Sequence, residues 1–273
     1  MRIETFIERQ TIIENNAGAP LPRVRAIYEN LHAKHRYPDP AGMRVTDARI
    51  DGIAIRRFLP AACTAGTVVY LHGGGWNLGS VRSHHGITAD LAERLGHEVV
   101  SVDYRLLPEA TYAEALADCR EVVEAFDPLA MIGDSAGGRL AIDVAYTSLW
   151  QGVLGLIYPV VGTPTLESLG EDAPLLSRAD ILSLWRTAAA TVPDIPAARP
   201  PAARIEALAV ERDPLTRPLE RAVEAWRRNG ASVGYRCAPN MVHAALHAHA
   251  ELPEMQTAWR DFCQAVKRRL DEE

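Results

Sequence analysis

DPLAMIGDSAGG, residues 127–138, is the stretch on which the reading of this chain turns. Its first half is a short apolar run. Its second half sets Ser135 between Gly133 and Gly137 in a G-x-S-x-G pattern. Such a run bounded by glycine fits a buried strand, and the residues after Ser135 have helix-compatible spacing. A serine at a sharp strand–turn–helix elbow takes a strained backbone, and side chains two positions to either side would collide there; glycine removes the collision. The plainer reading is a Gly/Ser turn that opens a helix. The rest of the chain decides between them.

On the N-terminal side, Val24, Ile27, Tyr28 and Leu31 predict one amphipathic helix over about Pro22–Tyr37. RVTDARI and IAIRRFL, joined by Asp51-Gly52, read as a β-hairpin. Short β-branched runs then alternate with helical stretches: TVVYLH, a helix around Thr88–Leu95, EVVSVDY, and a helix over Ala113–Phe126 opened by a Thr111/Glu114 capping box. After the serine stretch come a helix from Ala136 to about Leu149, the strand VLGLIYPV and a Pro-punctuated insertion with a helix at about Ser177–Ala190. The Ala/Pro-rich linker VPDIPAARPPAAR follows. The strand IEALAVE, a helix near Thr216, the strand VGYRC and a helix over Glu254–Leu270 complete the chain. This alternation predicts a mostly parallel sheet of about eight strands, covered by helices on both faces. Ligands of such sheets bind beyond the carboxyl ends of the strands, which is where Ser135 falls.

At 273 residues, 48% of them apolar, the chain suffices for one large α/β domain or two small ones. A formal net charge of −6 and the lack of a Lys/Arg cluster argue against a nucleic-acid partner. Lys267, Arg268 and Arg269 read as a solvated last helical turn. Cys63, Cys119, Cys237 and Cys263 form no CxxC pair and read as reduced structural thiols. No histidine cluster has ligand spacing, so neither metal nor cofactor is expected. MRIETFIERQ mixes acids and bases unlike a signal peptide, and no apolar run approaches a membrane span. The expectation is a cytoplasmic protein without a membrane partner.

Three further stretches stand at strand ends. HGGGW, residues 72–76, exposes backbone N–H groups without side chains in the way, as an anionic tetrahedral intermediate requires. Two of Gly73, Gly74 and Gly75, with the N–H of Ala136, could make an oxyanion hole. A phosphate-binding loop would close on G-K-[ST], whereas this one closes on Trp76-Asn77. His72 reads as a brace for the loop. Asp213 follows IEALAV, and His243 follows the strand VGYRC within PNMVHAAL. A serine hydroxyl is a weak nucleophile until a histidine takes its proton, and the imidazolium needs an acid behind it. The order Ser135, Asp213, His243 is that of an α/β-hydrolase. Asp213 as a mere cap of the next helix is the rival reading, and His247 and His249 read as exposed.

HGGGW, SVDYRLLPEA, GDSAGG, ERDPL and PNMVH, in that order between about residues 67 and 247, resemble the bacterial hormone-sensitive-lipase-like esterases of the α/β-hydrolase superfamily. The resemblance implies a Ser135–His243–Asp213 triad, an oxyanion hole from Gly73, Gly74, Gly75 and Ala136, and a small helical cap from about 1–40 and 162–195 on a single domain spanning 1–273. It also implies fold-bracing roles for Asp103, Arg105 and Glu109. The implied activity is hydrolysis of small-molecule carboxylic esters, with short acyl chains favoured; an amidase, lactonase or formamidase, or a non-catalytic ligand-binding protein, are the alternatives. A homodimer through the last strand and helix is compatible with it. Two departures stand out. Arg139 takes the place where family members often carry asparagine, and Ala244-Ala245 follow the histidine where glycine and an aromatic residue are usual.

Overall fold

The computed structural model describes residues 1–272. Its centre is one sheet of eight strands in the order β1-β2-β4-β3-β5-β6-β7-β8: β1 (Arg44–Ile50), β2 (Ile53–Leu59), β3 (Thr64–Leu71), β4 (His97–Asp103), β5 (Ala130–Asp134), β6 (Val153–Ile157), β7 (Arg204–Arg212) and β8 (Ser232–Val242). The hairpin β1–β2 joins β4 antiparallel, and every pairing from β4 through β8 is parallel. The turn between β1 and β2 places both Asp51 and Gly52 at positive φ, as a two-residue hairpin loop demands.

Alternation along the strands feeds two cores. Val69, Leu71 and Met131 point to the face covered by α4 (Tyr112–Phe126), α5 (Ser135–Thr147) and α7 (Thr216–Arg228). Val68, Tyr70 and Ile132 point to the face covered by α3 (His85–Leu95) and α8 (Pro253–Asp271). A sheet buried on both faces explains why its central strands read as continuous apolar runs. The Thr111/Glu114 capping box forms as the sequence reading has it, and a second, Ser177/Asp180, opens α6 (Arg178–Ala188).

Four features depart from the sequence reading. A helix α1 (Ile3–Glu14) precedes α2 (Leu21–Lys34) and buries Phe6 completely. β8 runs past Cys237 to Val242, because Pro239 is tolerated on an edge strand while Ala238, Met241 and Val242 are buried. Lys267 and Arg268 are exposed, but Arg269 reaches the buried Glu206 at 2.5 Å, beside Arg236 at 2.7 Å. Of the four free cysteines, Cys119 and Cys263 are packed inside while Cys63 and Cys237 are exposed. No helix among the described residues is long and apolar enough to cross a membrane.

Candidate active site

Ser135 is the first residue of α5, directly after β5, with φ +50°. A β-carbon at Gly137 would sit 2.1 Å from the carbonyl oxygen of Leu71, so the turn closes only with glycine there. The serine hydroxyl lies 2.9 Å from Nε2 of His243, and Nδ1 of His243 lies 2.6 Å from Oδ2 of Asp213. A carboxylate only accepts, so Nδ1–H donates to Asp213 and Nε2 is left to accept from Ser135. Residues from the ends of β5, β7 and β8 thus converge on one line of three side chains. Asp213 also accepts from the N–H of Leu215 at 2.8 Å through its other oxygen, so one carboxylate holds the turn ahead of α7 and meets the histidine. The Tyr158 ring packs 4.7 Å from that of His243.

The glycine loop is fixed from below. Gly73 donates its N–H to Oδ1 of Asp134 at 2.8 Å, and Tyr70 donates to the same oxygen at 2.6 Å. Burial works to raise the Asp134 carboxyl, but the His84 imidazole beside it and its hydrogen bonds outweigh burial and hold it below its ordinary value. With Gly73 turned inward, the two glycines left from the three are Gly74 and Gly75, both at positive φ (+115° and +61°). Their N–H groups enter no hydrogen bond among the described residues. The N–H of Ala136 lies in the first turn of α5, where it has no intrahelical acceptor.

His72 does brace the loop: its Nδ1–H donates to the carbonyl of Gly73 at 2.8 Å, and its ring stacks on Tyr104 at 4.3 Å. Burial lowers its pKa to about 3, so it is a neutral strut. The other bracing charges find partners as well. Arg105 grips Asp118 at 2.8 Å, Glu109 pairs with Arg25 of α2 at 2.8 Å, and Asp103 accepts from the N–H of Val81 at 3.2 Å.

Two cavities meet at Ser135 and share Gly75, Leu176 and Leu184. The smaller is walled by Trp76, Ile181, Trp185 and Leu215. Arg139 stands behind it: the guanidinium lies 5.1 Å from the centre of the Trp185 ring, pairs with Asp143 at 2.9 Å and donates to the carbonyl of Gly162 at 2.6 Å. The larger is lined by His243, Tyr158 and residues of α1 and α2. His247 and His249 are not the exposed side chains that helical spacing suggested. They lie on a tight 3-10 turn, Ala245–Ala248 and its C-cap, that folds them inward. His249 is buried, donating to the carbonyl of Leu246, and His247 packs its ring 3.7 Å from that of His32. Sequence reasoning also missed Asp134, whose signal was its place inside the serine motif, and His32, which a lone helical histidine does not announce.

A family model described as alpha/beta hydrolase fold matches residues 68–247. The chain belongs to the α/β-hydrolase family. Among relatives of this hydrolase, esterase LipI of Mycobacterium tuberculosis (strain ATCC 25618 / H37Rv) is 33% identical over 180 residues, 56% of each chain. Carboxylesterase NlhH of M. tuberculosis (strain CDC 1551 / Oshkosh) is 32% identical over 234 residues, covering 74% of this chain and 73% of its own. The chain thus spans little more than half of LipI and most of NlhH. Among solved structures, an esterase from Pyrobaculum calidifontis superposes with a TM-score of 0.81 at 26% identity, covering 96% of this chain and 97% of the other. These likenesses agree with the resemblance to hormone-sensitive-lipase-like esterases drawn from the motifs.

Proposed function

We propose that this α/β-hydrolase is a serine esterase that cleaves carboxylic esters with short acyl chains. The observation that carries the reading is the line Ser135–His243–Asp213, at 2.9 and 2.6 Å, beside a glycine loop with two free N–H groups. The names of LipI, NlhH and the P. calidifontis protein point the same way.

Ser135 Oγ attacks the acyl carbon while Nε2 of His243 takes the hydroxyl proton. Asp213 holds the imidazole in the tautomer that accepts at Nε2 and faces the imidazolium that forms. The carbonyl oxygen, now an anion, accepts from the N–H groups of Gly74, Gly75 and Ala136; one such donor contributes on the order of 10²–10³ in rate. His243 then returns the proton to the departing alcohol oxygen. Water repeats the cycle on the acyl-enzyme, its proton passing through His243 back to Ser135. α1, α2 and the segment 162–195 serve as the cap over this centre. The small cavity between Trp76 and Trp185 takes the acyl group, which limits its length.

Hydrolysis of p-nitrophenyl acetate, butyrate, octanoate and palmitate by the protein, with Ser135→Ala and His243→Ala beside it, tests the reading. Turnover of acetate and butyrate that falls by about 10⁴ or more in both variants is the expected outcome. Undiminished turnover in Ser135→Ala would contradict it.

A further inference from the structure

Beneath Ser135 a second histidine faces a second aspartate. Asp134, the residue before the nucleophile, uses Oδ1 to accept from the N–H of Gly73 and the hydroxyl of Tyr70. Its other oxygen lies so close under the glycine loop that a β-carbon at Gly73 would sit 2.3 Å from it. The polar atom that faces this Oδ2 is Nε2 of His84, at 3.6 Å, a contact by charge that is longer than a hydrogen bond. Both side chains are buried, His84 completely.

His84 stands at the start of α3, and its ring is held in place. Nδ1 lies 3.0 Å from Oγ of Ser83, and the backbone N–H donates to the carbonyl of Ser80 at 3.3 Å. The ring packs 4.6 Å from that of His247 and 5.3 Å from that of His72. Ser80 in turn donates its hydroxyl to Glu29 of α2 at 2.7 Å, which ties this segment to the cap. Nε2 has no hydrogen-bond partner among the described residues, so Oδ2 is the acceptor it meets. A carboxylate only accepts, so the nitrogen facing it carries a proton. A hydrocarbon ring would fill the same space; the N–H is what the imidazole adds.

A carboxylate held by Oδ1 alone can turn about its Cβ–Cγ bond and carry Gly73 with it. Its charge also opposes the anion that forms above the loop, and burial strengthens that opposition. A proton on Nε2 counters both effects. We propose that His84 is a positioning residue, whose Nε2–H facing Oδ2 of Asp134 fixes the glycine loop and offsets the carboxylate's charge beneath the forming oxyanion. This role rests on the esterase reading above.

Nitrogen-15 NMR of the histidine rings reads the proton directly, with the His84 signals assigned by their loss in His84→Gln. The expected proton is on Nε2 at neutral pH. In Asp134→Asn the amide oxygen keeps the two donors of Oδ1 and the NH2 turns to His84, so the proton should move from Nε2 to Nδ1. An unprotonated Nε2 in the unaltered protein, or the same tautomer in both proteins, would overturn the proposal. This readout also decides the matter if His84→Phe does not fold.

On p-nitrophenyl butyrate, His84→Phe should lower kcat about tenfold and leave KM within about twofold, while His84→Gln, which keeps an N–H, recovers most of the loss. In the Asp134→Asn background, His84→Phe should cost less than about twofold more. A loss confined to KM, or an equal loss in that background, would contradict a role exerted through Asp134. Unchanged kcat in His84→Phe, in a protein whose turnover vanishes in Ser135→Ala, would remove this role and leave the esterase reading standing. Failure of the unaltered protein to hydrolyse any ester would remove both.

Discussion

Ser135 and Ala244 share a cost: both are non-glycine residues held at positive φ, +50° and +63°. At Ser135 the strain aims a hydroxyl at His243 and has a use. At Ala244 the strain has no evident use. Ala244→Gly should therefore stabilise the protein by about 1 kcal/mol in urea unfolding; a destabilised variant would show that the methyl group packs well enough to offset the strain. Asp134 works through other groups. Removing its carboxylate in Asp134→Ala strands the buried Gly73 N–H and Tyr70 hydroxyl, so we expect a loss of about 2–4 kcal/mol in stability. If the glycine loop holds the oxyanion as proposed, its loosening should also lower kcat more than it raises KM. Equal kcat would mean that the loop holds its shape without this anchor. The serine, aspartate and histidine were legible because each follows a recognisable strand. That Gly73 among the three glycines gives its N–H to Asp134 was not, since it depends on where a buried carboxylate comes to lie.

Helix α6 decides the size of the smaller cavity, through Trp185 backed by Arg139. Trp185→Ala should move the preference from acetate and butyrate towards octanoate, read as the ratio of kcat/KM values. An unchanged ratio would place the limit on chain length elsewhere. Elsewhere in the chain, the capping box of α4 should obey the ordinary rule, with Thr111→Ala costing about 1 kcal/mol. Elements with strong local signals, such as this box, the Asp51-Gly52 turn and the apolar strands, could be read directly from the residues. Helix α1 could not. Its twelve residues mix Glu and Arg with isoleucine, too short a helix to stand alone in water, and Phe6 finds burial only after the sheet and α8 exist to receive it. The inward fold of His247 likewise comes from a tertiary turn with no helical period to betray it.

Across the whole molecule, neutral buried histidines set the response to acid. Burial holds His32 and His72 at about 3 and His247 well below its ordinary 6.5. Below about pH 6.5 the unfolded chain takes up protons that the folded chain refuses, so this stability is present in full above that pH and drains away as the pH falls towards 3. Each such histidine contributes up to about 1.4 kcal/mol of loss per pH unit in that window. Asp103 and Asp143, whose carboxyls burial raises, oppose the trend only as the pH nears the carboxylate range. Urea midpoints should therefore hold level from pH 7.5 to about 6.5 and fall as the pH is lowered from there to 5. A flat profile would mean that these rings are solvated.

Labelling with a fluorophosphonate, followed by intact-mass analysis and peptide mapping, tests most directly whether Ser135 is an activated nucleophile. We expect one adduct per chain, on Ser135, absent in Ser135→Ala and slower by about 10³ or more in His243→Ala. Labelling at another residue with Ser135 untouched, or equal rates with and without His243, would contradict it.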